Sequence, residues 1–148
     1  MAITVQEILA AKGGVLHTVK SSTTVYDALK MMEQYNISAV LIVDGGALTG
    51  IFTERDYARK VALRGISSKD TWVGDLMTHK ILTVCPSHTV DEVMAMMTHN
   101  HIRHLPVMDK GQLVGLISIG DVVKSIMDLQ KETISQLSGY ISGNLTTA

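Results

Sequence analysis

Apolar and polar positions follow the same pattern twice along this chain, at an offset of 65 residues. Residues 24–35 and 89–100 each carry apolar side chains at every third or fourth position, which predicts an amphipathic helix. Each segment begins with Thr followed three residues later by an acid, Asp27 or Glu92, and this spacing is typical of a capping box. The apolar faces consist of Val25, Ala28, Leu29 and Met32 in the first helix, and Val90, Val93, Met94 and Met97 in the second.

A β-hairpin is predicted after each of these helices. The turn sequences Asp44-Gly-Gly and Asp109-Lys-Gly supply glycine, which accepts the positive φ of a tight turn. A second helix follows each hairpin, and a short strand near Thr18 or Thr83 precedes each unit. The sequence of each copy therefore predicts its elements in the order strand, helix, strand, strand, helix. The hairpin strands lie at 39–43 and 104–108, with partners ending near Thr53 and Ser118, and the second helices span about 54–62 and 120–129.

The repeat divides the chain into two units. A short opening segment also recurs, Val5–Leu9 as Val73–Met77, so the copies are assigned to residues 3–64 and 73–128, with 65–72 as the connector. A copy of this size buries little surface by itself, so the two are expected to pack as one α+β module with pseudo-two-fold symmetry. Residues 129–148 should begin as helix and fray, because they end in Ser, Gly, Asn and Thr.

Composition excludes several classes of protein. The formal charge of −1 lacks the basic surplus of duplex-binding proteins, and 4% aromatic residues give few base-stacking platforms. The aliphatic run 39–43 is too short for a membrane span, and the N-terminus has no secretion signal. Cys85 is the only cysteine, which favours a reducing compartment. We therefore expect a cytoplasmic protein that binds neither nucleic acid nor membranes.

The most specific motifs are Ile102-Arg-His-Leu-Pro-Val107 and Gly115-Leu-Ile-Ser-Ile-Gly-Asp121, with weaker counterparts at residues 37–42 and 50–56. Over residues 3–128 the chain resembles the cystathionine-β-synthase (CBS) domain family, whose domains occur in tandem pairs called Bateman modules. The resemblance implies two clefts between the paired domains that bind AMP, ADP, ATP, NAD(H) or S-adenosylmethionine. Many members are fused to an enzyme or transporter that they regulate; here the two repeats use up the chain, so we expect a stand-alone regulator.

The residues themselves suggest nucleotide chemistry at two places. Thr53-x-x-Asp56 and Ser118-x-x-Asp121 each put a hydroxyl at a strand end and a carboxylate one turn into the next helix. A carboxylate accepts two hydrogen bonds at once, which suits the 2′ and 3′ hydroxyls of ribose, while the hydroxyl and the free amides of the helix start suit phosphate. The alternative is that both hydroxyls are plain N-caps and both acids are surface residues. The resemblance implies that the Asp holds ribose.

Three arginines are candidates for phosphate binding. Arg55 and Arg59 are four residues apart and share a helix face, although such a face is also compatible with simple solvation. The second copy has Gly120 and Lys124 at these positions, so we expect the Asp56 cleft to bind phosphate more strongly. The resemblance implies that phosphates from both clefts point to a common centre, close to Arg103.

The resemblance further implies that each cleft is completed by the other copy, whose strand backbone reads the adenine edge. Ser38 and Ala39 are small and leave room for a base, whereas Arg103 and His104 are bulkier and could fill part of their own cleft. Which cleft is occupied therefore stays open. The Asp56 cleft would draw on Leu82, Thr83, Ile102, Arg103 and His104, and the Asp121 cleft on His17, Thr18, Ile37, Ser38 and Ala39.

Other chemistry has less support. His99, His101 and His104 could bind a metal, but alternation along a strand sends neighbouring side chains in different directions. The alternatives are that His101 or His104 contacts phosphate, or that these histidines are structural. Cys85 has no evident base beside it, which argues against a nucleophile. The nine methionines favour an adaptable core and a dimer interface.

The leading hypothesis is a regulatory, energy-sensing module without catalytic residues. Nucleotide binding would change the angle between the repeats, or between two chains, and a regulated protein that the sequence does not identify would detect the change. The resemblance implies a flat homodimer. One alternative is a nucleotide hydrolase, for which the positioned base and metal cage are missing. The other is a scaffolding protein whose clefts are empty, and nucleotide found after purification would distinguish it from a sensor.

Overall fold

The computed structural model describes the backbone of residues 3–147 and the side chains through Tyr140. Both predicted copies are present, each with a helix, a β-hairpin and a second helix. The elements are α1 (Val5–Lys12), β1 (Thr18–Val19), α2 (Val25–Tyr35), β2 (Ala39–Asp44), β3 (Ala47–Thr53), α3 (Glu54–Tyr57) with a π-helical continuation (Ala58–Ala62), a 3-10 turn (Val73–Asp75), α4 (Val90–Asn100), β4 (His104–Asp109), β5 (Gln112–Ser118) and α5 (Ile119–Thr147).

The two sheets are related by the repeat. In the first sheet β2 pairs with β3 antiparallel and with the short β1 parallel. In the second, β4 pairs with β5 antiparallel. The register of each hairpin shifts at an equivalent place, after Ile42 and after Val107. The strand expected near Thr83 is reduced to a single parallel bridge between Val84 and Val107.

The helix caps explain where α2 and α4 begin and end. The hydroxyl of Thr89 accepts from the backbone N–H of Glu92, and the Glu92 carboxylate accepts from the backbone N–H of Thr89, so this capping box is complete. At Thr24 only the hydroxyl half of the predicted box forms. Both helices stop at a residue in the left-handed region, Asn36 with φ of 51° and His101 with φ of 54°.

The opening segments are exchanged between the copies. Val5 and Ile8 of α1 are buried in the core of the second copy, while Val73 and Met77 are buried in the core of the first. Equivalent backbone hydrogen bonds hold both segments in place: Val5 N donates to His88 O at 2.8 Å, and Val73 N donates to Thr23 O at 2.7 Å. Each packed half therefore contains an opening segment from the other copy.

A third apolar cluster joins the two sheets. Ala39, Leu41 and Ile51 are buried there and pack against Leu113 and Leu116 of the second copy. This contact holds the ends of β3 and β5 close together, where the next helix of each copy begins.

The last helix is longer than the sequence predicts. α5 continues to Thr147, whereas we expected fraying in residues 129–148; Ala148 lies outside the described residues. Ile134, Leu137 and Tyr140 are exposed apolar residues along its second half. No helix in residues 3–147 combines the length and the apolarity needed to cross a membrane.

Candidate functional site

A cleft of about 300 Å³ lies between the copies at the junction of β3 and α3. The first copy supplies the hydroxyl and carboxylate pair of the Thr53-x-x-Asp56 motif, and the start of β4 supplies the opposite wall. Ile51 and Ile102 provide apolar surface. The lining residues are Ser38, Ile51, Thr53, Glu54, Arg55, Asp56, Thr78, Ile102, Arg103 and His104.

The Asp56 carboxylate is held in place from two sides. Its Oδ2 accepts from the backbone N–H of Thr53 at 3.0 Å and from the Thr53 hydroxyl at 3.1 Å. The backbone N–H of Asp56 donates to the Thr53 hydroxyl oxygen at 3.1 Å, which completes a capping box. Its Oδ1 accepts from the Thr78 hydroxyl at 3.2 Å and lies 3.1 Å from the Lys60 ammonium. The N-cap interpretation of Thr53 is thus confirmed. Because each oxygen already has two partners, an incoming hydroxyl must displace one of them.

Polar contacts across the cleft tie the two copies together. The Arg55 guanidinium donates to the backbone carbonyl of His101 at 2.7 Å. Ser38 Oγ and His104 Nε2 are joined by a hydrogen bond of 3.0 Å. Both contacts connect the first copy to the region where β4 begins, so a ligand that enters here competes directly with the bonds between the copies.

His104 is neutral at pH 7. Its pKa is lowered from 6.5 to about 4, mainly by burial and also by the positive charges of Lys12, Arg103 and Arg55, while the negative charge of Asp121 opposes the shift. At neutral pH the imidazole therefore offers a hydrogen bond to a ligand and no positive charge. Positive charge at this cleft comes from the exposed side chains of Arg55 and Arg103.

Not every residue expected at the Asp56 cleft lies on it. Arg59 is exposed on the π-helical turn and does not line the cleft. Leu82 is 41% exposed, and Thr83 lines a separate cleft formed by the two hairpin turns. Ser38, expected in the other cleft, lies on this one. Thr78 and Lys60 contact Asp56 although sequence reasoning missed them; the i, i+4 spacing of Asp56 and Lys60 was the available signal.

The Asp121 motif repeats the cap but has a different cationic partner. Asp121 Oδ2 accepts from Ser118 N at 2.8 Å, and the Ser118 hydroxyl accepts from Asp121 N at 3.2 Å. The same Oδ2 accepts from the Lys12 ammonium at 2.8 Å. Burial acts to raise the pKa of Asp121, but hydrogen bonds from Lys12 and Ser118 outweigh it and leave the pKa below its ordinary value. Nothing in the sequence pointed to Lys12, which is 109 residues away.

The other residues expected at the Asp121 cleft are dispersed. The His17 ring stacks on Tyr35 with centroids 4.0 Å apart, and Thr18 is exposed at the start of β1. Ile37 packs on the first core, and Ala39 is buried between the sheets. Lys124 lines a shallow surface on α5 together with Val123 and Met127.

Two further predictions concern cysteine and metals. The prediction that no base lies beside Cys85 was wrong, since His88 Nδ1 lies 3.1 Å from its Sγ. The Ser87 hydroxyl, at 3.1 Å, contributes most to lowering the pKa of this thiol, and His88 adds to it. Sequence reasoning missed His88 because only the turn at residues 85–88 brings the two together. Within the described part of the chain, no three His, Cys, Asp or Glu side chains gather as a metal site.

Comparisons with known proteins agree with this architecture. A family model described as CBS domain matches residues 15–63 and 73–128. The CBS domain-containing protein CBSX3, mitochondrial, of Arabidopsis thaliana is 42% identical over 149 residues, covering 95% of this chain and 72% of that protein. A structure of a protein with CBS domains from Burkholderia ambifaria is 52% identical with a TM-score of 0.82, covering 84% of this chain and 94% of that one. A CBS domain pair in complex with 5′-methylthioadenosine and S-adenosyl-L-methionine is 26% identical with a TM-score of 0.75, covering 86% and 98%. These matches confirm the α+β fold of two repeats.

Proposed function

The chain belongs to the CBS domain family, and we propose that it is a non-catalytic regulatory module that binds an adenine nucleotide in the Asp56 cleft. The observation that carries the proposal is the cleft itself. A carboxylate at a strand-to-helix junction, two arginines and apolar walls from both copies surround one volume of about 300 Å³. That volume lies at the lower end of the range typical of small-molecule sites, which suits a mononucleotide.

Each part of a nucleotide has a matching group in this cleft. Ile51 and Ile102 would enclose the adenine ring from opposite copies. Asp56 would accept from the ribose hydroxyls after the flexible Lys60 side chain is displaced. Arg55 and Arg103 would pair with phosphate oxygens, for which the planar guanidinium is well shaped.

The ligand class in this proposal is AMP, ADP, ATP or NAD(H), with S-adenosylmethionine as a further candidate. The related CBS pair solved with 5′-methylthioadenosine and S-adenosyl-L-methionine supports the adenosine part of this class, since both of its ligands contain adenosine. The two arginines favour the members of the class that carry phosphate.

Signalling would follow from the bonds that the ligand breaks. Arg55 donates to the backbone carbonyl of His101 at 2.7 Å. If phosphate recruits the guanidinium, that tie between the copies is lost and the angle between them can change, which a partner protein would detect. A homodimer and a cytoplasmic location complete the proposal. The Arabidopsis relative is named as mitochondrial, so imaging of a tagged chain should decide the location.

Calorimetric titration of nucleotide-stripped protein with AMP, ATP, NADH and S-adenosylmethionine tests the proposal. We expect micromolar binding of one of them, weakened about tenfold or more by Asp56→Asn because a charged acceptor is lost. Asp109→Asn, in the exposed hairpin turn, is the matched control and should leave binding unchanged. Silence from all four ligands in folded protein would favour the scaffolding alternative instead.

A further inference from the structure

Both motif aspartates contact a lysine, but the lysines come from different parts of the fold. Lys60 reaches Asp56 from the same helix, one turn further on, at 3.1 Å, and its ammonium also donates to Leu76 O at 3.0 Å. Lys12 reaches Asp121 from the end of α1, at 2.8 Å, and a carbonyl of the adjacent strand holds the same ammonium. The pseudo-symmetry of the copies therefore does not extend to the cation beside the carboxylate.

Lys12 occupies the position that Thr78 has in the other copy. Around Asp56, Thr78 donates its backbone N–H to Ile51 O at 2.9 Å and its hydroxyl to Asp56. Around Asp121, the Lys12 ammonium makes both equivalent contacts, to Leu116 O at 2.7 Å and to Asp121 at 2.8 Å. One mobile side chain thus replaces a backbone segment and a short hydroxyl.

The two aspartates differ in the open space beside their carboxylates. Asp56 lines the open cleft and Lys60 does not, so a ligand can reach that carboxylate from the cleft and displace the Lys60 ammonium from it. Asp121 lines neither this cleft nor the shallow surface on α5 that begins at Ile119. The Asp121 side chain is 21% exposed and shares that edge with the Lys12 ammonium.

We propose that Lys12 is an internal occupant of the Asp121 cleft and determines that a chain first binds ligand in the Asp56 cleft alone. This rests on the proposed function, since the ligand is the same adenine nucleotide. A ribose can reach Asp121 only by displacing an ammonium that makes two charge-assisted hydrogen bonds, and losing such bonds costs about tenfold in affinity or more. Without Lys12 the second cleft should bind independently.

The displacement needs little movement of the backbone. Val5 and Ile8 anchor α1 in the core of the second copy. The helix ends at Gly13 with φ of 92°, and the space beside Gly14 is open. Swinging the four-carbon stem of Lys12 into solvent is therefore sufficient to free Asp121, and the helix can stay docked.

Calorimetric titration with AMP, read as the number of sites per chain, tests this inference. We expect one site in the parent protein and two in Lys12→Met, which keeps the length of the stem and removes the charge. Adding Asp121→Asn to Lys12→Met should abolish the new site. Lys60→Met, which removes the equivalent ion pair at the other aspartate, should leave the count at one. Thermal melts verify that each variant is folded.

The outcomes separate this inference from the proposed function. One site in the parent and one in Lys12→Met would overturn the inference and leave the function intact. Two equal sites in the parent, or weaker AMP binding in Lys12→Met, would also overturn it, the latter because Lys12 would then be a ligand contact. If neither protein binds AMP or the other nucleotides, the proposed function fails and the inference fails with it.

Discussion

Acidification from pH 7 to pH 5 is expected to destabilise this protein through one side chain, His104. The folded protein holds its pKa at about 4, against an ordinary value of 6.5. Between pH 6.5 and pH 4, therefore, His104 is mostly protonated in the unfolded chain and mostly neutral in the folded protein. Stability is undiminished above pH 6.5 and is lost progressively as the pH falls towards 4. Integrated between pH 7 and 5, this one group costs about 2 kcal/mol.

Burial is the main cause of the lowered pKa of His104. The positive charges of Lys12, Arg103 and Arg55 also lower this pKa, and the negative charge of Asp121 raises it. The carboxylates with lowered pKa values titrate near pH 4 when unfolded, so they contribute little between pH 7 and 5.

Urea unfolding at pH 7.0 and 5.0 measures the effect. We expect His104→Asn to lose most of the pH dependence, because an amide replaces the imidazole beside Ser38 and does not titrate. His99→Asn, on the exposed end of α4, is the control and should keep it. An unchanged pH dependence in His104→Asn, or an imidazole that titrates near pH 6.5 by NMR, would refute the reasoning.

Three stability predictions concern the packing between copies and a helix cap. In Gly74→Ala the new Cβ would lie 2.8 Å from Ser21 O, which is backbone, so urea unfolding should show a loss of about 1–3 kcal/mol; a loss below the error of the fit would contradict it. Ile8→Ala should cost about 2–5 kcal/mol because it opens a cavity in the second core. Val15→Ala, at a 74% exposed site, is the control and should cost less than about 0.5 kcal/mol. Equal losses of stability in Ile8→Ala and Val15→Ala would refute the packing argument. Thr89→Ala should lower stability by about 1 kcal/mol through loss of the capping box, and an unchanged melting temperature would contradict this.

Local patterns were sufficient to predict most elements of the fold. The helices α2 and α4 and both hairpins follow from spacing within about a dozen residues, and the structure has them near the expected bounds. The helix α1 was missed, although Thr4 followed by Glu7 is a capping signal, and the Thr4 hydroxyl does accept from Glu7 N at 3.3 Å. Its packing could not be predicted because its partners are more than 70 residues away in sequence.

The candidate site divides in the same way. Thr53 and Asp56 were identifiable because one strand-to-helix junction contains both. Thr78 and Lys12 were not identified, because they reach the two aspartates from the exchanged opening segments. Periodicity describes the face of an element and does not report which distant segment covers it.

The exchange of opening segments has a consequence for synthesis. During translation α1 emerges from the ribosome before the second copy, yet the residues that bury Val5 and Ile8 lie between Val84 and Val122. Because synthesis proceeds at about 5–20 residues per second, the apolar face of α1 stays unpacked for several seconds or more before those residues are made. A nascent chain stalled before Val84 exposes that face to chaperones and proteases throughout the wait. The duplicated halves have thus become one unit of biosynthesis, which matures only when the second copy has emerged.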